Sequence, residues 1–90
     1  ALFGRGQLAV QRRRYEEAAA YFERIYILYR AYEQWVAKAY LARAECLQKL
    51  REPDKAAEVM EEMLSERALR EGPHAAEAQE MLERLKERMR

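Results

Sequence analysis

Hydrophobic positions recur at three- and four-residue intervals along nearly the whole chain, the spacing of one face of an α-helix. Leu2, Gly6, Ala9 and Val10 mark the packed side of a first helix over Leu2–Gln11. A turn at Arg12-Arg13-Arg14 leads into a second helix over Tyr15–Tyr29. That helix carries two apolar stripes, one of Tyr15, Ala18, Ala19, Phe22, Tyr26 and Tyr29, the other of Tyr21, Ile25, Leu28 and Tyr32. A helix apolar over so much of its circumference has neighbours on two sides. After Arg30-Ala31-Tyr32, a third helix over Glu33–Leu50 turns Val36, Ala39, Tyr40, Ala44, Leu47 and Leu50 inward. Its Lys38, Glu45, Gln48 and Lys49 face water.

Pro53 suits the first turn of a fourth helix, over Pro53–Leu69, because its missing N–H would have no intrahelical partner there. This helix buries Ala56, Val59, Met60, Met63 and Leu64. At Glu71-Gly72-Pro73 the glycine closes one helix and the proline opens the next. The last helix, Pro73–Met89, keeps Ala75, Ala78, Leu82, Leu85 and Met89 on one narrow stripe opposite Glu77, Glu80, Arg84, Glu87 and Arg88. A one-sided helix of that kind seals the end of a stack. The expected fold is all-α: two antiparallel hairpins over 1–30 and 31–70, and a capping helix over 73–90, in a single domain.

The two hairpins are copies of one pattern about 38 residues apart, the offset from Ala18 to Ala56. In each, a small residue precedes a large apolar one by four positions, Ala18 before Phe22 and Ala56 before Met60, and Ile25 or Met63 follows three later. Small residues let helix backbones approach, while large ones fill the wider part of the groove. This pattern concerns packing and carries no chemistry.

Composition points the same way. The chain has no Thr or Asn and one each of Asp54, Ser65 and His74, so catalytic side chains are scarce and an enzyme is not expected. Lys and Arg number 17 against 16 Asp and Glu, a formal charge of +1 that offers no overall field to recruit nucleic acid or an anionic membrane. No apolar run approaches the roughly 20 residues needed to span a bilayer, so no direct membrane insertion is expected. Cys46 stands alone on an apolar helix face, where a thiol behaves as a small hydrophobe. Paired only with His74 on another helix, it falls short of metal-site spacing, and neither a metal nor a cofactor is expected. The three consecutive arginines precede Glu16 and Glu17 and read as a solvated turn rather than a phosphate contact. Most aromatic residues fit the core periodicity, but Tyr21, Tyr32 and Trp35 fall off the main stripes. Met60, Met63, Met81 and Met89 read as gap-fillers.

Helix pairs of this length, with small residues at the crossing and Tyr15-Glu16-Glu17-Ala18 opening a second helix, resemble the tetratricopeptide repeat (TPR) family over nearly the whole chain. The Tyr26-Ile27-Leu28-Tyr29 helix end, Trp35-Val36-Ala37-Lys38-Ala39-Tyr40-Leu41 and Ala44-Glu45-Cys46-Leu47 look most like bacterial extracytoplasmic members. Those include the Tol-Pal-associated coordinator proteins and the lipoprotein of the outer-membrane barrel assembly machinery. Where the family usually turns on a Gly-Asp type sequence, this chain has Arg12-Arg13-Arg14. The resemblance implies a right-handed superhelix, a segment of a longer bacterial scaffold protein, periplasmic or outer-membrane-associated, whose concave face binds a protein or peptide partner. Arg5, Lys38, Glu45 and Gln48, with Trp35 nearby, are the expected groove residues. The alternative is a self-association element forming a homo-oligomer. The chain opens inside a helix pattern and its second helix is apolar on two sides, so Leu2, Phe3, Tyr21, Leu28 and Tyr32 are the expected contacts there.

Overall fold

A computed structural model describes residues 1–90, and its helices arise where the periodicity places them. They are α1 (Leu2–Gln11), α2 (Tyr15–Leu28), α3 (Glu33–Lys49), α4 (Pro53–Ser65), α5 (Arg67–Arg70) and α6 (Ala75–Arg88), with no strand. Each long helix packs on the next: α1 on α2, α2 on α3, α3 on α4 and α4 on α6, while the short α5 lies against α4 and α3. The molecule measures 33 × 30 × 16 Å, and its thin dimension is that of two helix layers with their side chains interleaved. No helix is long and apolar enough to cross a membrane.

The helix crossings rest on small residues. Ala18, Ala44 and Ala56 are fully buried, as is Phe22 beside them. Gly6 is the tightest point, since a methyl group there would sit 2.5 Å from the Phe22 ring. By the 38-residue offset, Ala44 stands in the second hairpin where Gly6 stands in the first, and Met60 where Phe22 stands. A flexible thioether accommodates the methyl that a rigid ring excludes.

Both hairpins turn by the same device. The Arg13 N–H donates to the Val10 carbonyl and the Arg14 N–H to that of Ala9, each at 2.9 Å, with Arg13 left-handed at φ 58°. Thirty-eight residues on, the Arg51 N–H donates to Gln48 at 3.0 Å and the Glu52 N–H to Leu47 at 2.9 Å, with Arg51 at φ 61°. This is the Schellman arrangement, usually closed by glycine. An arginine there keeps a cation beside the negative end of the helix at the cost of a crowded Cβ.

Between α2 and α3 the Tyr26 and Tyr40 rings stack at 3.8 Å with planes 6° apart. Arg43 Nη1 donates to the Tyr26 hydroxyl at 2.6 Å, and its Nη2 lies 3.6 Å from Glu23 Oε2. Burial pushes the Tyr26 phenol up to about 12, although the Arg43 charge draws it back in part. Burial, followed by the Glu62 charge, raises that of Tyr40 as well.

Several expected boundaries move. The fourth helix is not continuous to Leu69, because Glu66 is extended at φ −88°, ψ 122°. Ser65 Oγ donates to the Glu62 carbonyl at 2.6 Å, and Arg70 reaches back to the Leu64 carbonyl at 3.1 Å, so the opened turn keeps its acceptors satisfied. The break lets Leu69 turn into the core. The second helix stops at Leu28, which leaves Tyr29 exposed in the connection rather than on the core stripe. The third stops at Lys49, with Leu50 as its cap. The last begins at Ala75, so Pro73 belongs to the turn, and Gly72 closes α5 without a left-handed backbone. Val10 points outward, and Met89, beyond the last helical residue, is exposed. Ala78 and Leu85 of α6 are buried against the core, while Glu80 and Arg84 pair on an exposed side of the helix.

Two outcomes follow for stability. Ala56→Leu is expected to overpack the second crossing and cost about 1–3 kcal/mol; an unchanged denaturation midpoint would show that the crossing is loose. Arg13→Gly and Arg51→Gly remove the Cβ from left-handed positions, and each is expected to add up to about 1 kcal/mol in chemical unfolding. A lower midpoint in both would mean that the arginine side chains outweigh the strain.

Candidate partner-binding cleft

The 3.6-residue period sets Phe3, Gln7 and Val10 along one side of α1, and Lys38, Leu41, Glu45 and Lys49 along one side of α3. These two rows face each other across a cleft of about 590 Å³. Tyr15 and Phe22 of α2 contribute to its lining, and His74 and Glu77 bound it from the last helix and the turn before it. Residues of α1, α3 and α6 thus line one side of the molecule, with α2 supplying support from beneath.

Apolar and charged groups mingle in this lining. Lys38 Nζ lies 5.1 Å from the centre of the Trp35 ring, a cation–π contact that holds the ammonium at the rim. Partial burial raises the Glu45 carboxyl above its ordinary value, the Glu77 charge adds to this, and Lys49 opposes it. Lys38, Lys49, Glu45 and Glu77 form no ion pair with other side chains. Their charges remain free for groups on another molecule. Cys46 and His74 both reach the cleft, yet no three His, Cys, Asp or Glu side chains gather into a set that could hold a metal ion. A more polar extension of about 470 Å³ continues between α3 and α6, where Gln48 meets Glu77, Met81 and Arg84.

A second recess, of about 390 Å³, opens at the end of the first hairpin and is lined only by apolar and aromatic residues. Ala1, Leu2, Phe3 and Ile25 meet Tyr29, Tyr32 and Trp35 there. Phe3 joins the two sites, with its ring centre 5.4 Å from that of Phe22 and 5.5 Å from that of Trp35.

Of the residues expected from sequence, Lys38 and Glu45 line the cleft with Phe3, and Gln48 lies in its extension. Leu2, Phe3, Tyr32 and Trp35 come together in the apolar recess. Leu28 is exposed on the last turn of α2, three residues from Ile25, and Tyr21 lies half-buried two turns earlier on the same helix. Arg5 is a correction: it lies outside both sites, because two residues of helix carry it roughly 200° round the α1 axis from Phe3.

Gln7, Val10, Lys49, Cys46, His74 and Glu77 were not anticipated in the cleft. Nor were Ile27 and Tyr29 anticipated as exposed. The internal repeat held a signal for the latter two. Ile27, Leu28, Tyr29, Tyr32 and Trp35 correspond, 38 residues on, to Ser65, Glu66, Arg67, Arg70 and Pro73. At all of these positions but that of Pro73 the fold accepts a polar group, so packing there does not demand the apolar set of the first hairpin.

Comparison with protein-family models, with curated proteins and with solved structures found no match.

Burial, and then the Glu45 charge, push the Cys46 thiol up to about 11 from 9.0. The reactive thiolate fraction at pH 8 is therefore expected to fall about a hundredfold, and alkylation to quicken as pH rises toward 11. A Cys46 that reacted at pH 8 as fast in the folded chain as in urea would show that the floor of the cleft is open to solvent.

Proposed function

We propose that the chain is a non-catalytic interaction module of the tetratricopeptide type, which binds a protein or peptide segment in the cleft between α1, α3 and α6. The observation that carries this reading is the cleft itself: apolar side chains from α1, α2 and α3 lie among four unpaired charges, three from α3 and Glu77 from α6. The sequential helix packing and the paired Schellman turns at a 38-residue offset support the repeat reading. A partner with apolar side chains and charges of both signs fits such a lining, and burial of its counter-charges would give specificity and register.

The second reading is self-association through the aromatic end. It is favoured by the exposure of Ile27, Leu28, Tyr29, Tyr32 and Trp35 around a recess lined only by apolar and aromatic residues. Aromatic side chains of this kind anchor interfaces.

Selection from a random peptide library on the intact chain tests the first reading. Enriched peptides are expected to lose about tenfold in affinity, about 1.4 kcal/mol, when Lys38→Glu and Glu77→Lys are combined. Enriched peptides indifferent to these changes would remove the cleft from consideration. Light scattering over a concentration series separates the readings, since a cleft binder stays monomeric. A mass that doubles for the parent but not for Tyr32→Glu would favour self-association.

A further inference from the structure

We propose that the outer side of the first hairpin, carrying Leu2, Arg5, Leu8 and Tyr21, docks a partner helix that presents a glutamate and, three residues later, a tyrosine. This surface lies apart from the cleft, and of its four residues only Leu2 also lines the aromatic recess.

The chain contains the template for such a contact. By the 38-residue offset Leu2, Arg5, Leu8 and Tyr21 correspond to Tyr40, Arg43, Cys46 and Val59 of the second hairpin. There Tyr40, Cys46 and Val59 are buried and Arg43 is half-buried. Tyr40 and Arg43 meet α2 directly, through the ring of Tyr26 and the carboxylate of Glu23. In the first hairpin nothing lies over the equivalent residues: Leu8 is 45% exposed against 2% for Cys46, Arg5 is exposed, and Leu2 and Tyr21 are half-buried.

What α2 offers Arg43 defines what would satisfy Arg5. Glu23 and Tyr26 are three residues apart, on one side of a helix, and together engage two nitrogens of one guanidinium. Arg5 holds the same register position on α1 and has no ion pair. From Ala1 to Arg14 the chain carries four arginines and no acid, so the surface calls for an acidic partner. The same charge argues against a second copy meeting this side two-fold, because Arg5 would face a like-charged surface.

The probe is a synthetic peptide with the sequence of residues 15–29, cross-linked on the side away from Glu23 and Tyr26 and shown to be helical by circular dichroism. Titrated into the isotope-labelled full chain, it is expected to bind saturably and to shift the amide resonances of Leu2, Arg5, Leu8 and Tyr21. Arg5→Glu in the chain should weaken binding about tenfold, as should Glu23→Lys in the peptide, and the two changes together should restore it. Absence of saturable binding, shifts confined to the Lys38 and Glu45 cleft, or indifference to Arg5→Glu would overturn the proposal. Self-association abolished by Arg5→Glu, with no peptide bound, would assign the surface to a second copy and overturn the proposed occupant.

Discussion

The approach of α1 to α2 at Gly6 governs how the rest of the molecule assembles. The Phe22 ring occupies the space that any side chain at that position would need, so the backbones meet closely while the ring fills the angle between them. The second hairpin meets the same requirement with Ala44 and Met60, trading a hydrogen for a methyl and a rigid ring for a flexible thioether. Interiors pack at crystal-like density, so this pairing of small with large has little tolerance for added volume. With the crossings set, each helix meets the next at a fixed depth, and the alternate helices share a side.

That arrangement explains why the cleft exists and why it carries charge. α1 and α3 are each supported by α2, and neither fills the space between them. Of the side chains on the facing rows, Gln7, Glu45 and Lys49 are exposed, while Leu41 is buried and Phe3 half-buried. Partial burial and the neighbouring Glu77 charge raise the Glu45 carboxyl, and Lys49 offsets this in part.

Comparing the hairpins distinguishes structural need from surface purpose. At Ala18 and Ala56, or at Arg13 and Arg51, both copies do the same thing, and the common cause is packing or helix termination. At Ile27 and Ser65, or Tyr32 and Arg70, both copies are exposed, yet one is apolar or aromatic and the other polar. The apolar and aromatic choices gather around the end of the first hairpin, where seven residues line a recess without a charged side chain.

Periodicity alone determined the helices, because apolar residues three and four apart describe a buried face whatever lies opposite. The 38-residue offset determined that two hairpins share one plan, and the fully buried Ala18, Ala44 and Ala56 were legible as crossing points from their size. The sequence also marked Phe3, Trp35, Lys38 and Glu45, since aromatic and charged residues off the core stripes must face something else. Tertiary structure decided what they face. Arg5 and Phe3 are two residues apart yet lie on different sides of α1, and only the positions of α2 and α3 show which side is the cleft. Whether Leu69 continued α4 or turned inward depended on a backbone opening at Glu66 that Arg70 and Ser65 stabilise through carbonyls several residues away. His74 and Glu77 join Cys46 because α4 returns the chain to α3, a contact between residues far apart in sequence. Local spacing encodes which face of a helix is apolar; which neighbour that face meets is a property of the packed whole.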